Sequence, residues 1–362
     1  MKRVTATLGA LAMTAGAVSA GGIDRSGQSV AVIFETGNYL EFSIGSISPD
    51  VSGVGTAFSP TPGGASGNMA LNYLQLGGAV KLNLGQNLDA AIIIDQPFGA
   101  DVLYPAAPYF LTGSNADLNT TAITGVLKYR LPSNISVYGG VRYQTMNADA
   151  VVTLVPGYTV QGAADGGVGY VVGVAYEKPE IALRVALTYN SAIKHSLATT
   201  EFGAASPDTP ITTPQSVNLE FQTGVAANTL VFGSVRWVDW TAFNISPAVY
   251  VAATGGPLVS YSSDTVTYAL GVGRKLSDTW SIAASLGYEA PVGGFASNLG
   301  PTDGKRSITL AASYTRDNME ITGGLTYVDV GDAQTTLAAG LPAADFTGNQ
   351  AIGVGIKVGF TF

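Results

Sequence analysis

The chain ends on the twelve residues Ala351-Ile352-Gly353-Val354-Gly355-Ile356-Lys357-Val358-Gly359-Phe360-Thr361-Phe362, and this stretch decides its fold. Large apolar side chains stand at every even position, and small or polar ones stand at every odd position. Side chains on a strand alternate between its two faces, so one face here is apolar and the other is not. A barrel strand in a membrane needs this division between lipid and lumen. We therefore predict that the chain ends on the last strand of a transmembrane β-barrel.

The same alternation recurs in thirteen earlier segments, and six short connections alternate with seven long ones. Short periplasmic turns and long outer loops are typical of bacterial outer-membrane barrels. The sequence therefore predicts an all-β fold, a 14-stranded antiparallel transmembrane β-barrel that covers residues 38–362. A soluble β-repeat or propeller is the competing interpretation, but its loops would not alternate in length so regularly. The thirteen segments include residues 40–44, 74–82, 88–94, 127–129, 135–143, 170–176, 181–189, 217–225, 231–237, 266–272, 280–288, 308–314 and 319–327.

The first twenty residues have the pattern of a secretory signal peptide. Lys2 and Arg3 precede a short apolar stretch over residues 4–18, and Val18-Ser19-Ala20 offers small residues for cleavage after Ala20. This stretch is shorter than the 20 or so residues of a transmembrane helix. We expect export to the outer membrane of a Gram-negative bacterium, with residues 1–20 removed.

The composition excludes several classes of function. Charged residues make up 12% of the chain, against about 25% in an ordinary soluble protein. Without residues 1–20, 15 basic residues face 25 acidic ones, which gives a net charge of −10. This acidity argues against a nucleic-acid partner. The acidic loop residues do not have the spacing of a calcium loop, so we expect no metal and no cofactor.

The alternation also predicts which charged side chains face the lumen. Arg142, Glu220 and Arg236 are expected at mid-height, with Glu220 and Arg236 side by side as an ion pair. Arg142 or Arg236 could instead attract a carboxylate head group, because a guanidinium pairs with carboxylate through two nitrogens. The predicted inward-facing charges are Glu41, Lys81, Asp95, Lys128, Arg142, Arg184, Glu220, Arg236 and Lys357.

The third strand breaks at Asp95-Gln96-Pro97-Phe98-Gly99. Proline cannot donate a hydrogen bond to a β-ladder, and glycine permits a sharp bend. The break is either the end of the strand at an outer loop or a kink that opens a gap in the barrel wall.

Three stretches of the chain resemble the FadL family of outer-membrane transporters for long-chain fatty acids and other hydrophobic compounds. They are Pro97-Phe98-Gly99-Ala100 at the third strand, the hairpin from Thr213 to Trp240, and residues 319–329 together with the last strand. The resemblance implies a pocket in the lumen, an N-terminal hatch that blocks it, and a lateral path through the wall at the kink. It also implies passive diffusion of the substrate, without TonB coupling.

Carried onto this sequence, the resemblance gives a hatch over residues 21–37 and a lateral gate at the kink. This hatch is about half the usual length for the family and lacks its Asn-Pro-Ala segment. The predicted hatch residues are Gly21, Gly22, Arg25, Ser26 and Gly27; the gate residues are Asp95, Gln96, Pro97, Phe98 and Gly99; and the substrate-binding residues are Arg142, Arg236, Glu220 and Phe98.

Two other functions stay open at this point. A non-selective porin for small polar solutes is the main alternative, because the hatch is short. An outer-membrane hydrolase would need a serine and a histidine, and His195 has Ser191 and Asn190 nearby in sequence, but a triad depends on geometry. We expect no enzymatic activity.

The predicted partners follow from the barrel and its terminus. They are a hydrophobic small molecule, the lipid and lipopolysaccharide of the membrane, and the barrel-assembly machinery, which would engage the strand that ends on Phe362. The family resemblance suggests a monomer.

Overall fold

The computed structural model describes residues 23–105, 107–338 and 340–362. The predicted signal peptide, Gly21 and Gly22 lie outside the described residues, so the structure does not bear on them. Most of the rest of the chain forms strands of one large antiparallel sheet that closes on itself.

The strands are numbered in chain order. They are β1 (Tyr39–Asp50), β2 (Gly53–Gly55), β3 (Tyr73–Asn83), β4 (Leu88–Asp95), β5 (Gly99–Leu103), β6 (Asn115–Arg130), β7 (Ile135–Val152), β8 (Tyr158–Lys178), β9 (Leu183–Asn190), β10 (Ile193–Glu201), β11 (Ala204–Thr213), β12 (Ser216–Ala226), β13 (Thr229–Val238), β14 (Asn244–Ile245), β15 (Val259–Ser260), β16 (Thr265–Lys275), β17 (Trp280–Glu289), β18 (Phe295–Ala296), β19 (Lys305–Arg316), β20 (Met319–Val330), β21 (Ala333–Ala338), β22 (Leu341–Phe346) and β23 (Asn349–Thr361).

The helical elements are short. The α-helix α1 spans Ala248–Thr254, and 3₁₀ turns lie at Ala31–Phe34, Pro179–Ile181 and Trp240–Ala242. No helix in the described ranges is both long and apolar enough to cross a bilayer.

The large sheet is a barrel of 14 strands. Its 17 segments include three interrupted strands, β4 with β5, β9 with β10, and β11 with β12, and each of these pairs counts as one barrel strand. The first strand pairs with the last, with Leu40 opposite Phe360, so the sheet has no open edge between them. The closed 14-stranded antiparallel barrel predicted from the alternation is confirmed.

The outer surface of the barrel is apolar, as the terminal strand predicted. Ile352, Val354 and Ile356 are 47–53% exposed, whereas Ala351 on the opposite face is buried. These exposed side chains face lipid, which costs nothing in a bilayer because lipid tails are apolar as well.

The barrel wall extends further outward than the sequence suggested. Residues 150–166 and 194–215 lie outside the strand segments that the sequence predicts, but most of them belong to the β7–β8 and β10–β11 hairpins. Their outward side chains include Thr145, Asn147 and Asp149. These polar residues stand above the lipid, so the apolar alternation that marks a membrane strand is absent there.

The outer end of the barrel carries two small sheets. One joins β2, β22, β21 and β18, and the other joins β14 and β15. Phe346, Ala344 and Met69 are buried in the outer loops together with Tyr104 and Tyr109. The loops therefore have an apolar core of their own over the mouth of the barrel.

Candidate functional site

The described part of the predicted hatch lies inside the barrel. Residues 23–37 form a single segment, which we call the lumen segment. Its 3₁₀ turn Ala31–Phe34 is wholly buried and packs with inward residues such as Ala91, Val126 and Tyr138. Burial of these apolar side chains fixes the lower half of the segment against the wall.

Arg236 holds the upper half of the lumen segment. Its Nε lies 2.7 Å from Asp24 Oδ2, and its Nη2 lies 3.2 Å from Asp24 Oδ1. The same guanidinium donates to Ser216 and Asn218 and to the side-chain oxygen of Gln28. Such a two-pronged pair between buried groups is among the stronger polar contacts in proteins.

Glu220 and Arg236 do not form the ion pair that the sequence suggested. The strand register sets Asn218 opposite Arg236 and Ser234 opposite Glu220. Glu220 accepts a hydrogen bond of 2.9 Å from Ser29 Oγ instead. Both side chains face the lumen as predicted, but each contacts the lumen segment. The alternation of side chains along the strands does not predict the path of that segment.

Arg142 is a buried residue of the wall beside this network. Its Nε donates to Thr124 Oγ1 at 2.8 Å, and its Nη1 donates to Asn190 Oδ1 at 3.0 Å. The structure thus brings Arg236 and Glu220 together around residues 24–29 and sets Arg142 apart from those contacts.

The lower end of the lumen segment packs against aromatic and basic side chains. The rings of Phe34 and Tyr138 meet edge to face, with centroids 5.5 Å apart. Lys128 Nζ lies 4.5 Å and Arg184 Cζ 4.9 Å from the Phe34 ring centroid, within the range of cation–π attraction. Lys81 Nζ donates to the Gly37 carbonyl at 2.7 Å.

A buried charge cluster encloses this end of the lumen. Asp89 lies 2.9 Å from Lys81 Nζ, 3.6 Å from Lys128 Nζ and 3.1 Å from Arg130 Nη2. Lys128 also contacts Glu177 at 3.4 Å. Sequence reasoning placed Lys81 and Lys128 in the lumen but missed Asp89, although its inward parity was available as a signal.

Where the sequence predicts a break in the third barrel strand, the backbone ladder with β3 is interrupted and leaves a gap in the pairing. Gly78 is paired with Ile94 below the gap, and Ala70 is bridged to Val102 above it. The register is the same on both sides, so residues 73–77 would face residues 95–99 if the ladder continued. We call this unpaired stretch the window. Leu76 N reaches across it to Gln96 Oε1 at 2.8 Å.

The lumen segment supplies partners for the backbone beside the window. Arg25 N donates to Pro97 O at 2.8 Å, and Gly99 N donates to Ile23 O at 2.9 Å. Ser26 Oγ donates to the Asp95 carboxylate. The predicted gate residues and the described hatch residues are therefore in direct contact.

Arg25 occupies the window itself. Its guanidinium stacks on the Tyr73 ring at 4.0 Å and pairs with Asp101. A Cβ added to Gly99 would lie 2.3 Å from Arg25 Cζ, so the guanidinium passes directly over the Gly99 backbone. Glycine at this position leaves the space that Arg25 fills.

Phe98 is fully buried beside the window. Its ring meets Trp240 edge to face, with centroids 5.9 Å apart, and its backbone N donates to Thr120 Oγ1 at 2.8 Å. Trp240 packs in turn on Phe243 and Tyr261. This aromatic group forms part of the core at the outer end of the lumen.

A largely apolar cavity of about 160 Å³, which we call the outer cavity, lies above residues 23–25. It is enclosed by β5, β6, β7, β10 and β11 and by the outer loops. Arg142, Arg236, Glu220 and Phe98 are not among its lining residues. The apolar lining includes Leu118, Ala150, Leu197, Ile211, Phe243 and Tyr261.

A second cavity of about 200 Å³ lies below the window, between the lumen segment and β1, β3, β4 and β23. Its walls include Leu76, Gly77 and Asp95 at the edges of the window and Ser29 and Glu35 of the lumen segment. Free space therefore borders the window on the lumen side.

His195 contacts a glutamine and an aspartate. Its Nε2 lies 3.2 Å from Gln144 Nε2, and its Nδ1 lies 3.5 Å from Asp165. Ser191 Oγ accepts a hydrogen bond from Tyr170 N, and no hydrogen bond joins Ser191 to His195 in the described chain. The described residues also contain no group of three His, Cys, Asp or Glu that could hold a metal.

Comparisons with known proteins place the fold. The profile of the outer membrane protein beta-barrel domain family matches residues 5–209. Among curated protein sequences, no match is found.

Solved structures share the whole architecture at low sequence identity. A FadL homologue from Pseudomonas aeruginosa is 13% identical with a TM-score of 0.74, over 92% of each chain. The Pseudomonas putida toluene transporter TodX is 12% identical with a TM-score of 0.65, over 98% of this chain and 97% of that one. The Ralstonia pickettii toluene transporter TbuX is 13% identical with a TM-score of 0.58, over 90% of each chain.

Proposed function

Because the chain belongs to the outer membrane protein beta-barrel domain family and has the FadL-type fold, we propose that it carries hydrophobic or amphipathic small molecules passively across the outer membrane. Long-chain fatty acids are the substrate that the resemblance to the FadL family implies by default. The window beside residues 95–99 is the observation that carries the proposal, because displacement of Arg25 from this unpaired stretch would let a non-polar molecule leave directly into lipid.

The cavities suggest a route for the substrate. A molecule would enter from the outer loops into the outer cavity, whose walls are largely apolar. Apolar walls favour a ligand that loses little hydration on entry. Displacement of Arg25 from Tyr73 would then connect this cavity with the window. No step in the route requires a chemical reaction, and we propose no catalysis.

The lumen segment supports selective transport over a general porin. Residues 23–37 lie inside the barrel and contact its wall from Arg236 at the top to Lys81 at the bottom. A water-filled pore needs an open lumen. We propose that this segment is a hatch that blocks polar solutes, while the window serves apolar ones.

The test is uptake by cells that lack their own transporter. Labelled long-chain fatty acid and labelled toluene would be supplied to cells with the intact chain or with a straightened variant, Pro97→Val, Phe98→Thr and Gly99→Val. We expect uptake of at least one compound with the intact chain and its loss in the variant at equal surface amount. Pro60→Val with Pro62→Val, in an exposed loop, is the matched control and should keep full uptake.

Two results would contradict the proposal. Equal uptake by the intact and straightened proteins would mean that the window is not on the route. Large ion conductance by the purified intact protein in a planar bilayer would favour the porin alternative.

A further inference from the structure

A small cavity with a larger share of polar surface adjoins the outer cavity at the mouth of the barrel. It measures about 60 Å³ and shares Tyr261, Gly300 and Thr302 with the outer cavity. Its remaining walls come from the loop after β15 and from residues 289–304, and they are rich in serine, threonine and glycine. A polar recess beside an apolar chamber suits a molecule with one polar group.

Two of the side chains that line this recess each carry a buried polar atom that has no hydrogen-bond partner in the described chain. These atoms are Glu289 Oε1 and Trp240 Nε1, on side chains that are 3% and 1% exposed. The other oxygen, Glu289 Oε2, accepts from Thr267 and lies 3.7 Å from Lys305 Nζ. A buried polar group without a partner is destabilising, so a ligand that satisfies both atoms gains affinity.

The pair of atoms selects for a hydroxyl group. Glu289 Oε1 is an acceptor, and Trp240 Nε1 is a donor. A hydroxyl can donate to the first and accept from the second. An ammonium group can only donate, and a carboxylate can only accept.

The charges around both cavities disfavour an anion. The lining contains one basic residue, Arg25, which is already paired with Asp101. The acidic residues on the two linings are Glu289 and Asp303 at the recess and Asp101, Asp117 and Asp149, which share the outward face of the wall beside the outer cavity. A carboxylate in the recess would therefore lie beside Glu289 with no unpaired cation on either lining.

We propose that the two cavities form one binding site for a compact hydrocarbon that carries a hydroxyl group, namely a phenol or a short alcohol. The hydrocarbon part would occupy the outer cavity, and the hydroxyl would bind Glu289 and Trp240. An apolar cavity of about 150 Å³ accommodates benzene, which is close to the 160 Å³ of the outer cavity. This inference rests on the proposed transport function and names its substrate class.

The test compares three ligands of one shape on the purified full-length barrel at pH 7: ethylbenzene, 4-ethylphenol and 4-ethylbenzoate. Affinities would be measured by isothermal titration calorimetry. Since a hydrogen bond to a charged group is worth about 1.5–3 kcal/mol, we expect 4-ethylphenol to bind about tenfold more tightly than ethylbenzene. We expect 4-ethylbenzoate to bind most weakly.

Two substitutions test whether the hydroxyl group binds Glu289 and Trp240. Trp240→Phe should lower the affinity for 4-ethylphenol about tenfold and leave ethylbenzene unchanged, because the aromatic packing is retained. Glu289→Gln should raise the affinity for 4-ethylbenzoate, because the repelling charge is removed. Glu180→Gln, in an exposed turn away from both cavities, is the control and should change neither affinity.

The outcomes separate the two proposals. Equal affinities for ethylbenzene and 4-ethylphenol, or unchanged affinities in both variants, would overturn the hydroxyl site and leave hydrophobic transport intact. Failure of all three ligands to bind, together with no uptake by cells, would overturn both.

Discussion

Arg236 shows how one residue can position a segment that has no regular structure. Its planar guanidinium contacts Asp24 with two nitrogens and reaches Gln28 as well. A lysine would offer one point charge in place of this fork. The upper half of the lumen segment is therefore attached through a contact that few other side chains could make.

Loss of this contact should open the lumen to ions. In Arg236→Ala, Asp24 would be left as a buried charge without its partner, which is destabilising by about 3–5 kcal/mol. We expect residues 23–29 to leave their position and the conductance in planar bilayers to rise severalfold. Arg274→Ala, which removes an exposed arginine at the periplasmic end, should leave conductance unchanged; a rise there as well would point to general loosening of the barrel.

Arg25 should control passage through the window. Arg25→Ala removes the guanidinium from Tyr73, and Gly99→Ala places a Cβ where that guanidinium now lies. We expect faster uptake of labelled hydrocarbon in both variants, measured as the initial rate in whole cells. Gly125→Ala is the control, because a Cβ there meets no atom within 4 Å. Unchanged rates in both variants would show that Arg25 does not limit passage.

Asp117 should make the free energy of unfolding of the barrel depend on pH. It lies above the lipid, directly opposite Asp101 and Asp149 on the adjacent strands. Burial, and then the charge of Asp101, raise the pKa of Asp117 above its ordinary value of 3.8. The folded protein thus holds the proton of the Asp117 carboxyl group more tightly than the unfolded chain does. The protein therefore loses stability as the pH rises from 3.8 through the raised pKa of Asp117.

Asp117→Asn should therefore stabilise the barrel at pH 7.5 and have no effect at pH 3.5. The expected gain is about 0.5 kcal/mol, as for a pair of like charges on adjacent strands, measured by denaturant unfolding in detergent. Asp208→Asn, an exposed substitution on β11, serves for comparison. A gain at pH 3.5 as large as at pH 7.5 would rule out the charge as its cause.

Among the strands, β23 is the one that closes the barrel. It pairs with β20 on one side and closes the sheet against β1 on the other. Phe362 lies beyond its last paired residue, is 63% exposed, and donates its backbone N to Asn38 O at 3.0 Å. The exposed ring adds little to packing, which supports the proposal that the assembly machinery reads it.

Deletion of Phe362 should reduce assembly more than stability. We expect less folded protein in the outer membrane, measured by its shift on unheated gels, while the purified barrel unfolds at nearly the same denaturant concentration. Leu276→Ala, at an exposed periplasmic turn, should change neither quantity. An equal loss in both measurements would make Phe362 a residue of the fold itself.

For the whole molecule, the sequence predicted the barrel far better than its contents. Lipid-facing strands such as β23 and β16 carry an apolar residue at every second position, because a membrane demands it on every strand. The lumen segment has no such period, since its contacts come from Asp24, Ser29 and Phe34 meeting distant strands. The sequence also does not predict the outer cavity. Its walls lie above the lipid, where the outward residues are polar and the apolar alternation is absent.

The outer surface of the barrel predicts that the protein is a monomer in the membrane. Apolar side chains face outward on strands all around the barrel, including Phe42, Val141, Leu187, Leu270 and Leu310. Lipid can cover such a surface on every side, so we expect one barrel per particle by mass measurement in nanodiscs. A stable trimer would show that part of this surface is a protein contact instead.

The shared register above and below the window has a consequence for how the wall can move. Since Gly78 meets Ile94 and Ala70 meets Val102 in one continuous frame, neither strand has to slide for the missing rungs to form. The two strands form a seam that is paired at both ends and unpaired in between, and Arg25 fills the unpaired part. Opening or sealing of this seam would thus be a local event that leaves the other strands of the cylinder in place.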